Sequence, residues 1–196
     1  MTVGYASAIG SHVGMVRANN QDSGYAGNRL FLVADGMGGH AGGDVASALT
    51  TRAISKLDEF ATANAGGEHH SLEIDAEGSD VTGQVTPQKQ QDQHEQQQPS
   101  EVASKLADSL LQANRMLRAT VGERPELAGM GTTFCGFMTV GDKLALAHIG
   151  DSRLYLLRDG RMRQVTKDHT FVQRLVDSGR ITEVEAISHP RRSVLM

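Results

Sequence analysis

The sequence predicts an α+β fold of largely antiparallel strands with helices packed outside. Three observations carry that expectation. Strand-like and helix-like stretches come in blocks and not in strict alternation. The strands of the second half are separated by Gly-Asp and Asp-Gly turns, the signal of antiparallel hairpins. The chain has 196 residues, 39% of them hydrophobic, enough for one domain, 1–196, with a core of its own.

In chain order, residues 2–9 and 28–35 read as strands. The second contains the apolar run Leu30-Phe31-Leu32-Val33-Ala34 and ends in the acid Asp35. Over 44–60, Val45, Leu49, Ala53, Leu57 and Phe60 recur at helical spacing, and Lys56, Asp58 and Glu59 fall on another face. A second helix is expected after Pro99, with Ser100 as its cap, Glu101 near its positive end and the stripe Val102, Leu106, Leu110, Leu117, Val121. Four strands follow over 132–140, 144–149, 153–158 and 161–165, with Asp159-Gly160 suited to a tight hairpin turn that needs positive φ at both positions. Two short helices close the pattern, opened by the capping-box pairs Thr170 with Gln173 and Thr182 with Glu185, the first ended by Gly179.

Composition narrows the partners. No apolar run exceeds five residues and the N-terminus lacks a secretory pattern, so the chain is expected to hold no membrane segment. The lone Cys135 fits a reducing, cytoplasmic compartment. With 4% aromatic residues and no Trp, nucleic acid is poorly served as a partner. Residues 62–100 carry seven acids against the single base Lys89, and 84–98 hold eight Gln, the composition of a solvated low-complexity insert. The rest of the chain is slightly basic. His69, His70 and His94 lie in that insert without zinc-ligand spacing.

Chemistry concentrates where acids and glycines meet strand ends. The segments are Arg17-Ala18-Asn19-Asn20-Gln21-Asp22, Asp35-Gly36-Met37-Gly38-Gly39-His40 and Gly150-Asp151-Ser152-Arg153. A carboxylate directly after an apolar strand is costly unless solvated, hydrogen-bonded or on a cation. Glycines at 36, 38, 39, 42 and 43 let the backbone approach something closely, and oxygen-only donors favour Mg2+ or Mn2+ over zinc. Any one of these pieces alone reads as a turn or a surface charge; their coincidence with Gly131-Thr132-Thr133 and Thr166-Lys167-Asp168-His169 is what matters.

Taken in order, these segments resemble the metal-dependent serine/threonine protein phosphatases of the PPM (PP2C-like) family, in its bacterial branch. Five motifs carry the resemblance: Arg17-x-x-Asn20-Gln21-Asp22, the run 35–40, Gly131-Thr132-Thr133, Ile149-Gly150-Asp151-Ser152-Arg153 and the run 166–169. It covers residues 1–60 and 100–196, and 170–193 resembles the bacterial flap subdomain. The resemblance implies an αββα sandwich of two antiparallel sheets between helices. It implies Asp35 as the acid bridging two Mn2+ or Mg2+ ions, the Gly36 carbonyl as a ligand, Asp22 as a ligand through water, and Asp151 on a third, weaker ion. Arg17 would hold the substrate phosphate, so Arg17 and Asp35 would be catalytic. The implied reaction is hydrolysis of phosphoserine and phosphothreonine by direct attack of water activated between the ions. The implied partners are phosphorylated proteins, among them bacterial Ser/Thr kinases and their substrates, with a monomer as the expected state.

Two departures stand out. Met37 occupies the place of a histidine that in eukaryotic members is proposed to protonate the leaving group; His40 lies nearby. The family also completes its metal site with two aspartates C-terminal to the flap, and this chain stops at Met196 before either. The expectation is therefore a partial domain, incomplete at its C-terminus, that binds metal weakly and turns over little; the complete protein could carry a membrane anchor beyond residue 196. Cys135 lacks the arginine six positions on that a cysteine-dependent phosphatase requires, since that place is Gly141. Two rival readings remain: a dinucleotide-binding protein through Gly36-x-Gly38-x-x-Ala41, and a phosphoprotein-binding or regulatory module that retains Arg17 without catalysis.

Overall fold

The structure, a computed structural model, describes residues 6–38, 42–63 and 99–196. A hairpin of β1 (Asp22–Ala26) and β2 (Leu30–Met37) starts the sheet. Along β2, Leu30, Leu32 and Ala34 are buried while Val33 and Asp35 are exposed, the alternation of a strand with one covered face. Helices α1 (Gly43–Ala63) and α2 (Pro99–Glu123) pack against the sheet on the side of those buried residues and against each other.

After a 3-10 turn at Pro125–Leu127 come β3 (Gly131–Thr132), β4 (Phe134–Val140) and β5 (Lys143–Ile149). The sheet order is β1-β2-β4-β5, with β3 also on β2, and every pairing is antiparallel. A separate two-stranded sheet joins β6 (Tyr155–Arg158) to β7 (Arg161–Gln164). Its turn is the expected one, with φ of 52° at Asp159 and 71° at Gly160. Leu30, Leu32, Ile54, Leu106, Phe134 and Met138 form the centre of the core between sheet and helices.

Helices α3 (Phe171–Asp177) and α4 (Glu183–Ser188) form a paired unit. Thr182 and Glu185 make the full reciprocal box, whereas at Thr170 only half forms, because the Gln173 side chain donates instead to Asp177 at 2.9 Å. Gly179 takes the left-handed conformation after α3, with φ of 68°. The base of this unit is closed beyond residue 193: the Phe171 N–H donates to the Val194 carbonyl at 2.8 Å, the Met196 N–H to the His169 carbonyl at 3.0 Å, and the Arg191 guanidinium lies 3.8 Å over the Phe171 ring.

Several expectations change. Residues 6–10 carry no strand and 1–5 lie outside the described residues, so the expected strand at 2–9 is not found where it can be seen. The strand β1 was not expected at all; Asp-Ser-Gly-Tyr-Ala has little intrinsic strand character and gains it by pairing with β2. The 132–140 strand is interrupted at Thr133. Ser100 sits inside α2 and not at its cap, its carbonyl accepting from the Ser104 hydroxyl. The insert 62–100 falls outside the described residues at 64–98, and its outer residues belong to α1 and α2. Because β2 is antiparallel to all its neighbours, no parallel βαβ unit surrounds the glycines, and the dinucleotide reading falls.

The largest change concerns Asp58. It is 2% exposed, on the inner side of α1. Its carboxylate accepts the N–H groups of Asn28 (2.8 Å), Arg29 (2.9 Å) and Leu30 (3.2 Å) and the Tyr25 hydroxyl (3.1 Å), so one side chain caps the β1–β2 turn. A side chain at Gly27 would collide with the same carboxylate. Asp58→Ala, which strands these donors in the interior, is expected to cost about 3 kcal/mol in urea or thermal unfolding; a loss near zero would show that water replaces the carboxylate.

Candidate metal and phosphate site

The register of the β1–β2 hairpin places Asp22 directly across from Asp35. Both are exposed at the open end of the hairpin, on the sheet face turned away from α1 and α2. The approach to Asp22 is built from local polar chemistry: its N–H donates to the Asn20 side-chain oxygen at 3.0 Å, and the Asn20 amide donates to the Ser11 hydroxyl at 2.6 Å. The Gln21 carbonyl accepts both the Gly36 N–H (3.1 Å) and the Ser47 hydroxyl (2.6 Å), tying the strand end to α1.

Like charges facing across a ladder repel. Although the residue reaches solvent, partial desolvation of its carboxyl first, then the Asp22 carboxylate and a hydrogen bond to it, push Asp35 above the usual carboxylate range. Asp151 adds to the rise, and the Arg17 guanidinium opposes it. Three of the expected residues, Arg17, Asp22 and Asp151, therefore act electrostatically on the fourth, Asp35. A hollow of about 320 Å³ opens beside them, lined among others by Ser11, His12, Asp22, Asp35 and Ser152. A larger one, about 490 Å³, lies on the β6–β7 hairpin among Arg158, Arg161 and Arg163. It contains none of the paired acids, and the chemistry favours the smaller.

The fifth expected residue, Gly36, is buried with its N–H used by Gln21. At two of these glycines the close approach is to the protein's own backbone. A Cβ at Gly36 would run into the Gly43 backbone, and one at Gly42 would run into the Gly38 carbonyl, so these glycines let the N-terminus of α1 close onto β2. Gly39 and His40 lie outside the described residues. Met37 ends β2, half-buried and paired with Gly131. Cys135 is buried on β4, its thiol pushed up by burial, which suits packing and not nucleophilic attack.

Asp151 is half-buried in the loop between β5 and β6. That loop is tied to 166–169 by a two-pronged Arg153–Asp168 pair (2.9 and 2.7 Å), by the Leu154 N–H on the Thr166 hydroxyl (3.0 Å) and by the His169 N–H on the Gly150 carbonyl (2.8 Å). His148, whose charged form is disfavoured chiefly by burial, has Nε2 2.8 Å from the Ser152 carbonyl and stacks obliquely on His169 at 4.8 Å. Sequence reasoning missed His148 and gave His169 no role; neither stands in a pattern of its own.

The donors fit a hard divalent cation: carboxylate oxygens with no soft ligand, two of them facing each other with too little positive charge between. Among the described residues no three Asp, Glu, His or Cys side chains converge into a metal-holding group.

Fold and site together define an antiparallel α+β protein with paired aspartates at strand ends and an arginine whose charge acts on one of them. The family model described as Protein phosphatase 2C matches residues 10–176, and the chain belongs to that family. It is 44% identical over 189 residues to the serine/threonine protein phosphatase PstP of Mycobacterium tuberculosis, covering 96% of this chain and 30% of that protein. A crystal structure of the M. tuberculosis phosphatase PstP/Ppp matches with a TM-score of 0.71 and 44% identity, over 93% of this chain and 63% of that one. The catalytic domain of PstP in complex with two manganese ions matches with a TM-score of 0.64 and 43% identity, over 88% and 60%. The antiparallel sheets, the larger of them flanked by helices, are thus those of the PP2C-like fold, and the chain spans less than two thirds of each of these relatives.

If Asp35 carries the strain of an unneutralised pair, Asp35→Asn should raise the melting temperature of the chain in EDTA at pH 7 by roughly 2 °C. If Mn2+ raises the melting temperature of the wild type, the same substitution should abolish that rise. The sign follows from the raised carboxyl: the ionised form costs stability, so the penalty is absent at pH below the ordinary carboxylate range and grows as pH climbs through the raised value. A variant that melts lower than wild type in EDTA would overturn this reading of Asp35.

Proposed function

We propose that the protein hydrolyses phosphoserine and phosphothreonine in proteins, at a site where Asp22, Asp35, the Gly36 carbonyl and Asp151 hold divalent manganese or magnesium and Arg17 holds the phosphate. The observation that carries this is the cross-strand pair Asp22 and Asp35 with the Arg17 charge acting on it. When bound, paired divalent ions supply charge neutralisation on the phosphate oxygens and an activated water. Asp35, on the rigid β2, orients the site; Asp22 shares its load from the facing strand. Arg17 offers a planar fork that matches two phosphate oxygens and aligns the ester for in-line attack. The phosphorylated side chain would enter by the open hollow of about 320 Å³ that Asp22 and Asp35 help to line.

Membership of the family and the names of its relatives support this reading. The finer assignment is to phosphoproteins in the cytoplasm, Ser/Thr kinases and their targets among them, with the α3–α4 unit as the flap that meets the protein substrate. No helix among the described residues is long and apolar enough to cross a membrane. A second reading, binding of phosphoproteins without turnover by this chain alone, draws on the absence of a complete metal-holding group among the described residues.

The test is release of phosphate from a phosphothreonine peptide by the protein in Mn2+. Arg17→Ala should lower kcat/KM roughly 100-fold, about 2.7 kcal/mol of transition-state stabilisation. Asp35→Ala should remove activity. Turnover that persists in EDTA, or that Asp35→Ala leaves intact, would overturn the proposal; tight peptide binding by residues 1–196 without release of phosphate would favour the second reading.

A further inference from the structure

The expected ligands do not account for the most tightly built contact near them. Thr133, 2% exposed at the break between β3 and β4, holds both main-chain groups of Asp35. Its N–H donates to the Asp35 carbonyl at 2.8 Å, and its hydroxyl accepts the Asp35 N–H at 2.9 Å. The same hydroxyl lies 2.7 Å from the hydroxyl of Ser152, the residue that follows Asp151. Gly150, with φ of 105°, makes that approach feasible: a Cβ there would sit 2.7 Å from the Thr133 methyl carbon. An unbroken chain of hydrogen bonds therefore runs from the backbone of one carboxylate residue to the neighbour of another.

We propose that Thr133 and Ser152 are positioning residues whose hydroxyl-to-hydroxyl bond sets the separation of Asp35 and Asp151. The inference rests on the reading of both aspartates as metal ligands. Two carboxylates that repel each other drift apart unless their backbones are held, and a site for divalent cations needs them at a fixed spacing. The Asp151 loop is already anchored on its other side, through Arg153 to Asp168, Leu154 to Thr166, Gly150 to His169 and Ser152 to His148. What the Thr133–Ser152 bond adds is the tie across to β2. Losing it leaves the loop folded and releases the spacing, so the effect belongs to metal binding more than to melting.

Mn2+ binding to the chain, followed by titration calorimetry and by the loss of the free-ion electron paramagnetic resonance signal, tests this. Thr133→Val, which keeps shape and removes the hydroxyl, and Ser152→Ala should each weaken Mn2+ binding about tenfold. Thr133→Ser should restore it to within twofold of wild type. If Thr133→Val melts well below wild type, the half-buried Ser152→Ala decides. Binding by Ser152→Ala and Thr133→Val that matches a well-binding wild type would overturn the inference alone, as would a Thr133→Ser variant as weak as Thr133→Val. A wild-type chain that takes up no Mn2+ would overturn the metal-site reading and this inference with it.

Discussion

A single buried carboxylate decides which residues of the first two strands face each other. Asp58 gathers the three successive N–H groups of 28–30, and the turn it caps sets the β1–β2 register. A slip of one residue would send Asp35 to the helix side and carry Leu32 and Ala34 out of the core. The meeting of Asp22 with Asp35 is thus decided at the opposite end of the hairpin, by a residue with no part in the chemistry. The constraint also explains why the helix must lie so close: Gly27 at one end and Gly36 at the other leave no room for a side chain between the hairpin and α1.

Stability and electrostatics pull in different directions at the two ends. At the turn, a carboxylate is surrounded by donors and its charge is an asset. At the open end, two carboxylates face each other with one arginine acting on Asp35. The sheet supplies rigidity where the charges repel, through Thr133 on the Asp35 backbone and Gln21 on Gly36. Strained charge on a well-held backbone is how a cation site looks from the side of the protein.

Much of this was legible in the sequence because it resides in local patterns. The apolar run 30–34, the helical stripe of α1 and the Asp159-Gly160 turn each express a period or a φ requirement that residues carry with them. The order of five motifs placed Arg17, Asp22, Asp35 and Asp151 in one neighbourhood. What was not legible depends on partners far along the chain. β1 becomes a strand only against β2; Asp58 reads as a solvent-facing helix acid until its turn is seen; the hydroxyl pair joins positions 133 and 152 with no motif linking them. The glycines were noticed for close approach, and at Gly36 and Gly42 the structure shows the backbones of β2 and the start of α1 approaching each other.

Val33 and Asp35 share one sheet face, as do Leu144 and Leu146 on β5, and Val33, Leu144 and Leu146 are 47%, 54% and 38% exposed. The face that carries the paired acids is therefore also the one with apolar surface still to cover. Any layer that comes to rest on Val33 dries the surroundings of Asp35 at the same stroke, strengthening both the repulsion between the acids and the attraction of a cation for them. Cover for the sheet and the repulsion between the two acids are in this protein a single variable.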